Sequence, residues 1–423
     1  MNALHFVRPS AALLLLLPLA CGGDLPTRQN EQPEPPEPPA YDSVGSVTVT
    51  PASPAVNVAQ LVQLRATLYG RSGANVNRPI SWTSSDTSKA TVSDGMVFPL
   101  ASSAVTVRAT SEGVVGSTVL TITLPAVASG TLPLATPVAD LAYDTRRNIL
   151  YLSQPDSQRV AVVRLSTLTY DAPIALTSRP AGLDVTAEDT LLVALPDSGA
   201  VALVGLANQS TALVRIKNTS VYSIAVDAVM ATANRRAVIS VRPNQLTGLG
   251  TRLGVINLDQ RTDAENDPDL SGFPLVALAR SADHQRVLAM LLGACCPARG
   301  AVYSSRSGVF SAFSNTVSSY GASGSADRFG SRMLINGTLF SGSLAVLADR
   351  SPSGYQGGPS VIAADGRTGY FAVDNTVVPV NLDTGASGSS IALTSPPTRL
   401  FVLPTGAALI ALTATDLTVV PLP

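Results

Sequence analysis

Residues 44–125 alternate between apolar and polar side chains over short runs. A period of two is typical of β-strands that bury one face and expose the other. Proline, glycine and aspartate, which favour tight turns, separate the runs at Pro51, Pro54, Gly70, Gly73 and Asp94-Gly95. The pattern predicts a small β-sandwich with a core formed by Val47, Val49, Val56, Val58, Leu61, Leu64, Ala66 and Leu68.

Residues 127–423 contain a weak repeat of about 40 residues, the length of one four-stranded propeller blade. In most copies a proline precedes a short apolar strand, and a polar turn and a second apolar strand follow. Seven copies start near Pro137, Pro180, Ser220, Gly272, Tyr320, Gly357 and Pro396. The last copy holds only three strands, so we expect the spare strand Ser129–Leu134 to complete its blade and close the ring. The predicted fold class is all-β, a sandwich followed by a seven-bladed β-propeller.

The amino-terminal residues 1–20 have the pattern of a secretory signal peptide. Arg8 precedes the apolar run Ala11–Leu19, which is about half of the roughly 20 residues that span a membrane. The sequence Leu17-Pro-Leu-Ala-Cys21 resembles the cleavage site of bacterial lipoproteins, which implies a diacylated Cys21 as a membrane anchor. An ordinary signal peptide with an incidental cysteine is the alternative. Residues 21–43, rich in proline and glutamate, are predicted to form an extended linker.

The composition excludes several classes of function. Charged residues make up 13% of the chain and the net charge is −1, without a basic cluster, so nucleic acid is not an expected partner. His284 is the only histidine beyond the predicted signal, which excludes a zinc site built on several histidines. Its SADHQR turn between two strands predicts a solvated side chain. We expect no metal, cofactor or catalytic residue.

The sandwich segment resembles the group 2 bacterial immunoglobulin-like (Ig-like) domains. The stretches that carry the resemblance are VGSVTVTPASPAVNV, QLVQLRATLYG, ISWTSSDTSKATVSDGMV and TVRATSEGVVGSTVLTITL. The resemblance implies that Trp82 is the core aromatic residue. One element departs from the family pattern, because Ser103-Ala104 stands where the family usually has Gly-Thr. Such domains mostly serve as stalks or adhesive modules.

The repeat segment resembles the YVTN and lactonase-like propellers, above all in ILYLSQPDSQRVAVVRL. Lactonase-type members use converging carboxylates, often with a metal ion, at one end of the central channel. This end, the channel mouth, is formed by the loops that lead into the innermost strands. Only Asp140 occupies such a position here, with Asp184 one step further in. The catalytic pattern is therefore not carried over, and a hydrolase remains an alternative.

Polar and aromatic residues in these loops predict a ligand-binding mouth for a polar or anionic group. The candidates are Asp140, Arg179, Tyr222, Phe273 and Arg399.

Two other motifs are candidates for a disulfide and a metal site. Cys295-Cys296 could close a vicinal disulfide in an exported protein, or could be two small buried residues. The acidic stretch Asp259–Asp269 lacks the glycine and closing glutamate of a calcium loop, so we expect an exposed loop between blades.

These features together predict an exported lipoprotein, anchored to the cell envelope and placed in the outer membrane if the host is Gram-negative. The Ig-like domain would act as a stalk, and the propeller would present a recognition face to a protein or carbohydrate partner. A lactonase-like metal-dependent hydrolase and a structural subunit of an envelope complex are the alternatives.

Overall fold

Short antiparallel strands make up nearly all regular structure in this chain. The structure, a computed structural model, describes residues 41–217, 224–243, 251–266, 275–292, 298–317 and 324–422. Residues Ser43–Pro423 belong to one compact unit. Cys21, Tyr222, Phe273, Cys295 and Cys296 lie outside the described residues.

The amino-terminal sandwich contains nine strands in three sheets, ordered β1-β4, β2-β9-β8-β5 and β3-β7-β6. The strands are β1 (Val44–Thr50), β2 (Ala55–Asn57), β3 (Val62–Gln63), β4 (Arg65–Gly70), β5 (Ser81–Ser84), β6 (Ala90–Ser93), β7 (Met96–Pro99), β8 (Ser103–Ser111) and β9 (Val114–Thr123).

The alternation read from the sequence matches the burial of these strands. In β8 and β9 nearly every second side chain is buried, and Val107 and Leu120 are fully enclosed. Leu64 and Val97 complete the centre of the core, and Trp82 packs partly buried against it. Burying one face of each strand in this way is what stabilises a two-sided sandwich.

Seven four-stranded antiparallel sheets follow within the described residues, and they are the blades of a propeller. Blades 1 to 4 are β11 (Leu141–Asp144), β12 (Ile149–Gln154), β13 (Arg159–Arg164), β14 (Thr169–Ala175); β15 (Leu183–Val185), β16 (Thr190–Leu195), β17 (Ala200–Gly205), β18 (Thr211–Arg215); β19 (Ile224–Ala231), β20 (Arg236–Pro243), β21 (Arg252–Asn257), β22 (Thr262–Asn266); and β23 (Leu275–Arg280), β24 (Arg286–Leu292), β25 (Ala298–Ser304), β26 (Val309–Val317).

Blades 5 to 7 complete the ring. Their strands are β27 (Gly324–Ala326), β28 (Arg332–Ile335), β29 (Thr338–Ser341), β30 (Val346–Asp349); β31 (Ser360–Ile362), β32 (Thr368–Val373), β33 (Thr376–Asn381), β34 (Ile391–Ala392); and β35 (Arg399–Val402), β36 (Ala408–Leu412), β37 (Asp416–Pro421), joined by β10 (Gly130–Pro133). Single 3₁₀ turns, Pro155–Ser157 and Pro196–Ser198, connect the second and third strands of blades 1 and 2.

The position of a strand in its blade explains its composition. All six side chains of β12 are buried, because an inner strand packs against neighbouring blades on both faces. The outermost strand β14 is largely exposed and correspondingly more polar. The continuous apolar runs of the repeat therefore mark inner strands.

The spare strand closes the ring, as the sequence predicts. β10 pairs antiparallel with β37, with Gly130 opposite Val419 and Pro133 opposite Asp416. Leu417 of β37 lies fully buried in a cluster that also contains Leu150 of blade 1 and Ile410 of blade 7. The two ends of the propeller sequence thus share one blade, and its core continues into the first.

The sandwich packs against the turns that join first and second strands. The Nδ2 of Asn57 donates hydrogen bonds to the carbonyl oxygens of Thr145 (2.7 Å) and Arg146 (3.1 Å) in blade 1. The rings of Phe98 and Phe329, the latter in blade 5, meet edge to face at 6.0 Å. Ala282 in blade 4 packs against the sandwich core. The sandwich therefore covers the end of the propeller opposite the predicted channel mouth.

Candidate functional site: the central channel

The first strands of the blades and their adjoining turns surround a central channel with a cavity of about 660 Å³. This volume lies within the range of small-molecule sites in proteins, about 300–1,000 Å³. Among the described residues, three carboxylates and three guanidinium groups line it, those of Asp140, Asp184, Asp227, Arg280, Arg328 and Arg399. How these charges pair decides what the channel can bind.

Asp140 and Arg399, two of the predicted mouth residues, form an ion pair in the channel lining. The carboxylate of Asp140 accepts hydrogen bonds from the Arg399 Nη1 and from the backbone N–H of Leu141 (2.8 Å) and Leu183 (2.9 Å). The Arg399 Nη1 also donates to the Ala139 carbonyl oxygen at 3.0 Å. Burial raises the pKa of Asp140, and the positive charge of Arg399 opposes that rise. The pair connects blade 7 to blades 1 and 2.

A second ion pair lies deeper in the channel and is more buried. Arg280, at the end of β23, donates from Nε to Asp184 Oδ2 (2.7 Å) and from Nη2 to Oδ1 (2.8 Å), a bidentate arrangement. Only 14% of the Arg280 side chain and 6% of the Asp184 side chain are exposed. The Asp184 carboxylate also accepts the N–H groups of Val185 and Ala231. It is thus fully engaged in holding blades 2, 3 and 4 together.

Both carboxylates of the lactonase alternative take part in ion pairs. Asp140 and Asp184 were the residues to which the lactonase alternative assigned a metal, and each binds a guanidinium instead. Within the described ranges, no three histidine, cysteine, aspartate or glutamate side chains gather into a possible metal site.

Arg328 differs from the other cations of the channel. It lies in the turn after β27, and its Nε is buried without a hydrogen-bond partner among the described residues. Burial lowers the pKa of Arg328, and the nearby carboxylates Asp365 and Asp327 oppose that effect. Asp327 accepts the backbone N–H and the hydroxyl of Ser331, and Asp365 accepts the N–H of Arg367. Arg328 therefore lines the cavity without an ion pair to any described residue.

Arg179 is the third predicted mouth residue that lies within the described part of the chain. It is not among the residues that line the channel cavity, and it pairs with Asp156 at 3.4 Å, where both side chains are more than half exposed. Asp140 and Arg399 thus meet at the mouth, while Arg179 lies on the outer rim. The sequence did not predict Arg280 and Arg328 as residues of the channel site. The sequence does contain a signal for Arg280. In the stretch LARS of blade 4 an arginine occupies the third position, where LAYD of blade 1 has Tyr143 and LDVT of blade 2 has Val185.

His284 is only partly exposed, whereas the sequence predicts a solvated side chain. The turn between β23 and β24 holds it at a φ of 58°, with its Nδ1 buried and without a hydrogen-bond partner in the described part of the chain. It lines a second cavity of about 200 Å³ between the propeller and residues 59–63 of the sandwich. The prediction failed because it assumed that this face of the propeller is exposed to solvent.

The burial of His284 has a pH-dependent consequence. Burial, helped by the positive charge of Arg280, lowers the pKa of His284 well below its ordinary 6.5. The unfolded chain therefore takes up a proton near pH 6.5 that the folded chain does not, so stability is present above that pH and is lost as the pH falls. Asp144, Asp189 and Arg146 line the same cavity.

We expect the free energy of unfolding, measured by urea titration, to fall between pH 7.5 and pH 5.5 by up to about 1.4 kcal/mol per pH unit below 6.5. His284→Asn should remove most of that fall, because asparagine does not titrate and tolerates the left-handed backbone. The same pH dependence in both proteins would contradict the assignment to His284.

The acidic stretch also differs from its prediction in part. Its centre is not a loop, because Thr262–Asn266 forms β22, the outer strand of blade 3. Asp259 pairs with Arg235, and Asp263 accepts the backbone N–H of Lys217 at 3.1 Å. Residues 267–269 lie outside the described residues.

Fold and channel together define a class of protein: an Ig-like sandwich joined to a β-propeller with a ligand-sized central channel, a combination that generally serves binding or scaffolding. Residues 43–122 match the family model of the bacterial Ig-like domain (group 2). Within the described ranges, no helix reaches the length and apolarity that a membrane crossing requires.

Comparison with solved structures finds a similar fold in hydrazine synthase of Kuenenia stuttgartiensis. The TM-score is 0.55 at 13% sequence identity, over 69% of this chain and 97% of that chain. At this identity the similarity concerns the fold alone. The search of curated proteins finds no match.

Proposed function

We propose that this protein is an exported lipoprotein that binds a protein or carbohydrate partner of the cell envelope through the channel-mouth end of its propeller. The observation that carries the proposal is the position of the sandwich. It packs on the turns of the opposite end through Asn57 and Phe98, so the loops that carry Asp140 and Arg399 form the other end. This arrangement supports a role in which the mouth faces a partner.

The membrane anchor in this proposal is Cys21. The lipoprotein-type sequence Leu17–Cys21 and the proline- and glutamate-rich residues 24–42 support it. Two or three acyl chains, each contributing about 0.8 kcal/mol per buried CH₂, would give stable attachment to the membrane. In a Gram-negative host the expected location is the outer membrane, because Gly22 rather than an aspartate follows the cysteine.

The anchor is tested by fractionation of cells that express the full chain. We expect the wild-type protein in the membrane pellet and the Cys21→Ala protein outside it, because the variant has no thiol to acylate at that position. Cys295→Ala is the matched control, which removes a cysteine from the propeller and should leave the protein in the pellet. A Cys21→Ala protein that stays in the membrane pellet would exclude this anchor.

The partner is sought from the same membranes, solubilised in detergent and purified through the tagged chain. One enriched protein or glycan that is lost with Arg179→Glu would support recognition by the mouth end, since Arg179 is an exposed rim residue. The matched control is Arg164→Glu on the third strand of blade 1, whose side chain is 45% exposed. If the partner is retained by Arg179→Glu but lost with Arg164→Glu, binding occurs at the blade edges, as expected of a structural subunit. If no protein or glycan is enriched with the wild-type chain, the result contradicts the binding role.

A further inference from the structure

We infer that the central channel is a binding site for a small organic carboxylate with an apolar body, and that Arg328 receives the carboxylate group. This goes beyond the partner-binding role proposed above and does not depend on it. Three features of the channel support this: the ion pairs among its other charged residues, the position of Arg328 in its lining, and the apolar side chains that line the same cavity.

Among the described residues, the charged side chains that line the channel form ion pairs, with the exception of Arg328. Asp140 pairs with Arg399, and Asp184 pairs with Arg280. The third carboxylate, Asp227, accepts a hydrogen bond at 2.5 Å from Arg242, which does not line the cavity. Among the described residues no carboxylate lies within ion-pair distance of Arg328. Asp365 and Asp327 lie near Arg328, but they do not line the cavity, so within the described lining no carboxylate pairs with Arg328.

The geometry of a guanidinium suits a carboxylate at this position. A carboxylate can accept from two N–H groups of an arginine at once, and such paired bonds are among the strongest hydrogen bonds in proteins. Arg328 lines the cavity, so a carboxylate bound there would give it the counter-ion that it lacks within ion-pair distance among the described residues.

The remainder of the cavity suits an apolar group. Met230, Leu278 and Phe401 line it and are only partly buried, so their apolar surfaces are available to a ligand. Tyr143 also lines the cavity, but its hydroxyl already donates to Asn148 Oδ1 at 2.9 Å and therefore adds no unpaired donor to the cavity. A channel of about 660 Å³ holds a carboxylate joined to a body of the size of a benzene ring with room to spare.

Isothermal titration calorimetry with 3-phenylpropionate, on the chain from residue 24 onward, tests the inference. We expect saturable binding of the acid, and affinity for the neutral 3-phenylpropionamide lower by about tenfold or more, because hydrogen bonds to a charged group contribute about 1.5–3 kcal/mol. Arg328→Gln should weaken binding of the acid by a similar factor and leave the amide nearly unchanged. Arg306→Gln, which removes an exposed arginine that does not line the cavity, should bind the acid as the wild type does.

Several results would overturn the inference. They are equal binding of acid and amide, unchanged affinity in Arg328→Gln, an equal loss in Arg306→Gln, and no saturable binding of the acid by the wild type. If Arg328→Gln fails to fold, Arg328→Lys replaces it, since lysine keeps the charge but not the paired donors, and should still weaken binding. The titration uses purified protein and a small molecule, so its failure is distinct from the failure to recover an envelope partner.

Discussion

Replacing Arg280 with methionine is expected to lower the free energy of unfolding by about 3–5 kcal/mol, because it leaves the buried carboxylate of Asp184 without its counter-ion. The two side chains are almost fully buried and joined by two hydrogen bonds of 2.7 and 2.8 Å. Methionine retains much of the apolar length of arginine, so the change mainly removes charge. Urea titration followed by circular dichroism measures the difference.

Two further variants make the result specific. Adding Asp184→Asn to Arg280→Met should restore part of the stability, because no buried charge remains and the amide oxygen can still accept the N–H of Ala231. Arg164→Met breaks the exposed pair with Asp171 and should cost about 0–1 kcal/mol. If Arg280→Met cost no more than Arg164→Met, the buried pair would not be the clamp that its geometry indicates.

The second large effect is expected at the closure of the ring. Leu417→Ala should lower the free energy of unfolding by about 2–5 kcal/mol, because it removes a fully buried side chain from the cluster shared by blades 7 and 1. The control is Leu213→Ala in β18, the outermost strand of blade 2, where the leucine is 42% exposed. This control should change stability by about 0.5 kcal/mol or less. Equal costs at the two positions would contradict a tightly packed closure.

The architecture could be predicted because it depends on patterns that are local in sequence. Alternation in residues 44–125 indicated half-buried strands, and continuous apolar runs such as Ile149–Ser153 indicated strands packed on both faces. The closing strand was found by counting, since the last repeat had three strands and Ser129–Leu134 was unassigned. Each of these inferences needs only neighbouring residues and the rule that strand edges must be paired.

The site was predicted less completely because it depends on long-range contacts. Asp184 and Arg280 are 96 residues apart, and their pairing follows from the positions of blades 2 and 4 around the channel. The unmatched donor of Arg328 follows from what its neighbours bind, which no sequence pattern records. His284 was misjudged for the same reason, because the sandwich that encloses its turn is distant in sequence.

The closure of the ring has a consequence for how this protein is made. Thr131 of β10 and Thr418 of β37 face each other across 287 residues of chain. During synthesis β10 emerges early and has no partner until β37 has been made, so ring closure waits for the last strand of the propeller. A nascent chain that ends before Asp416 leaves β36 as an open edge that can pair with other chains. Premature termination before β37 would therefore favour aggregation over a merely shortened protein.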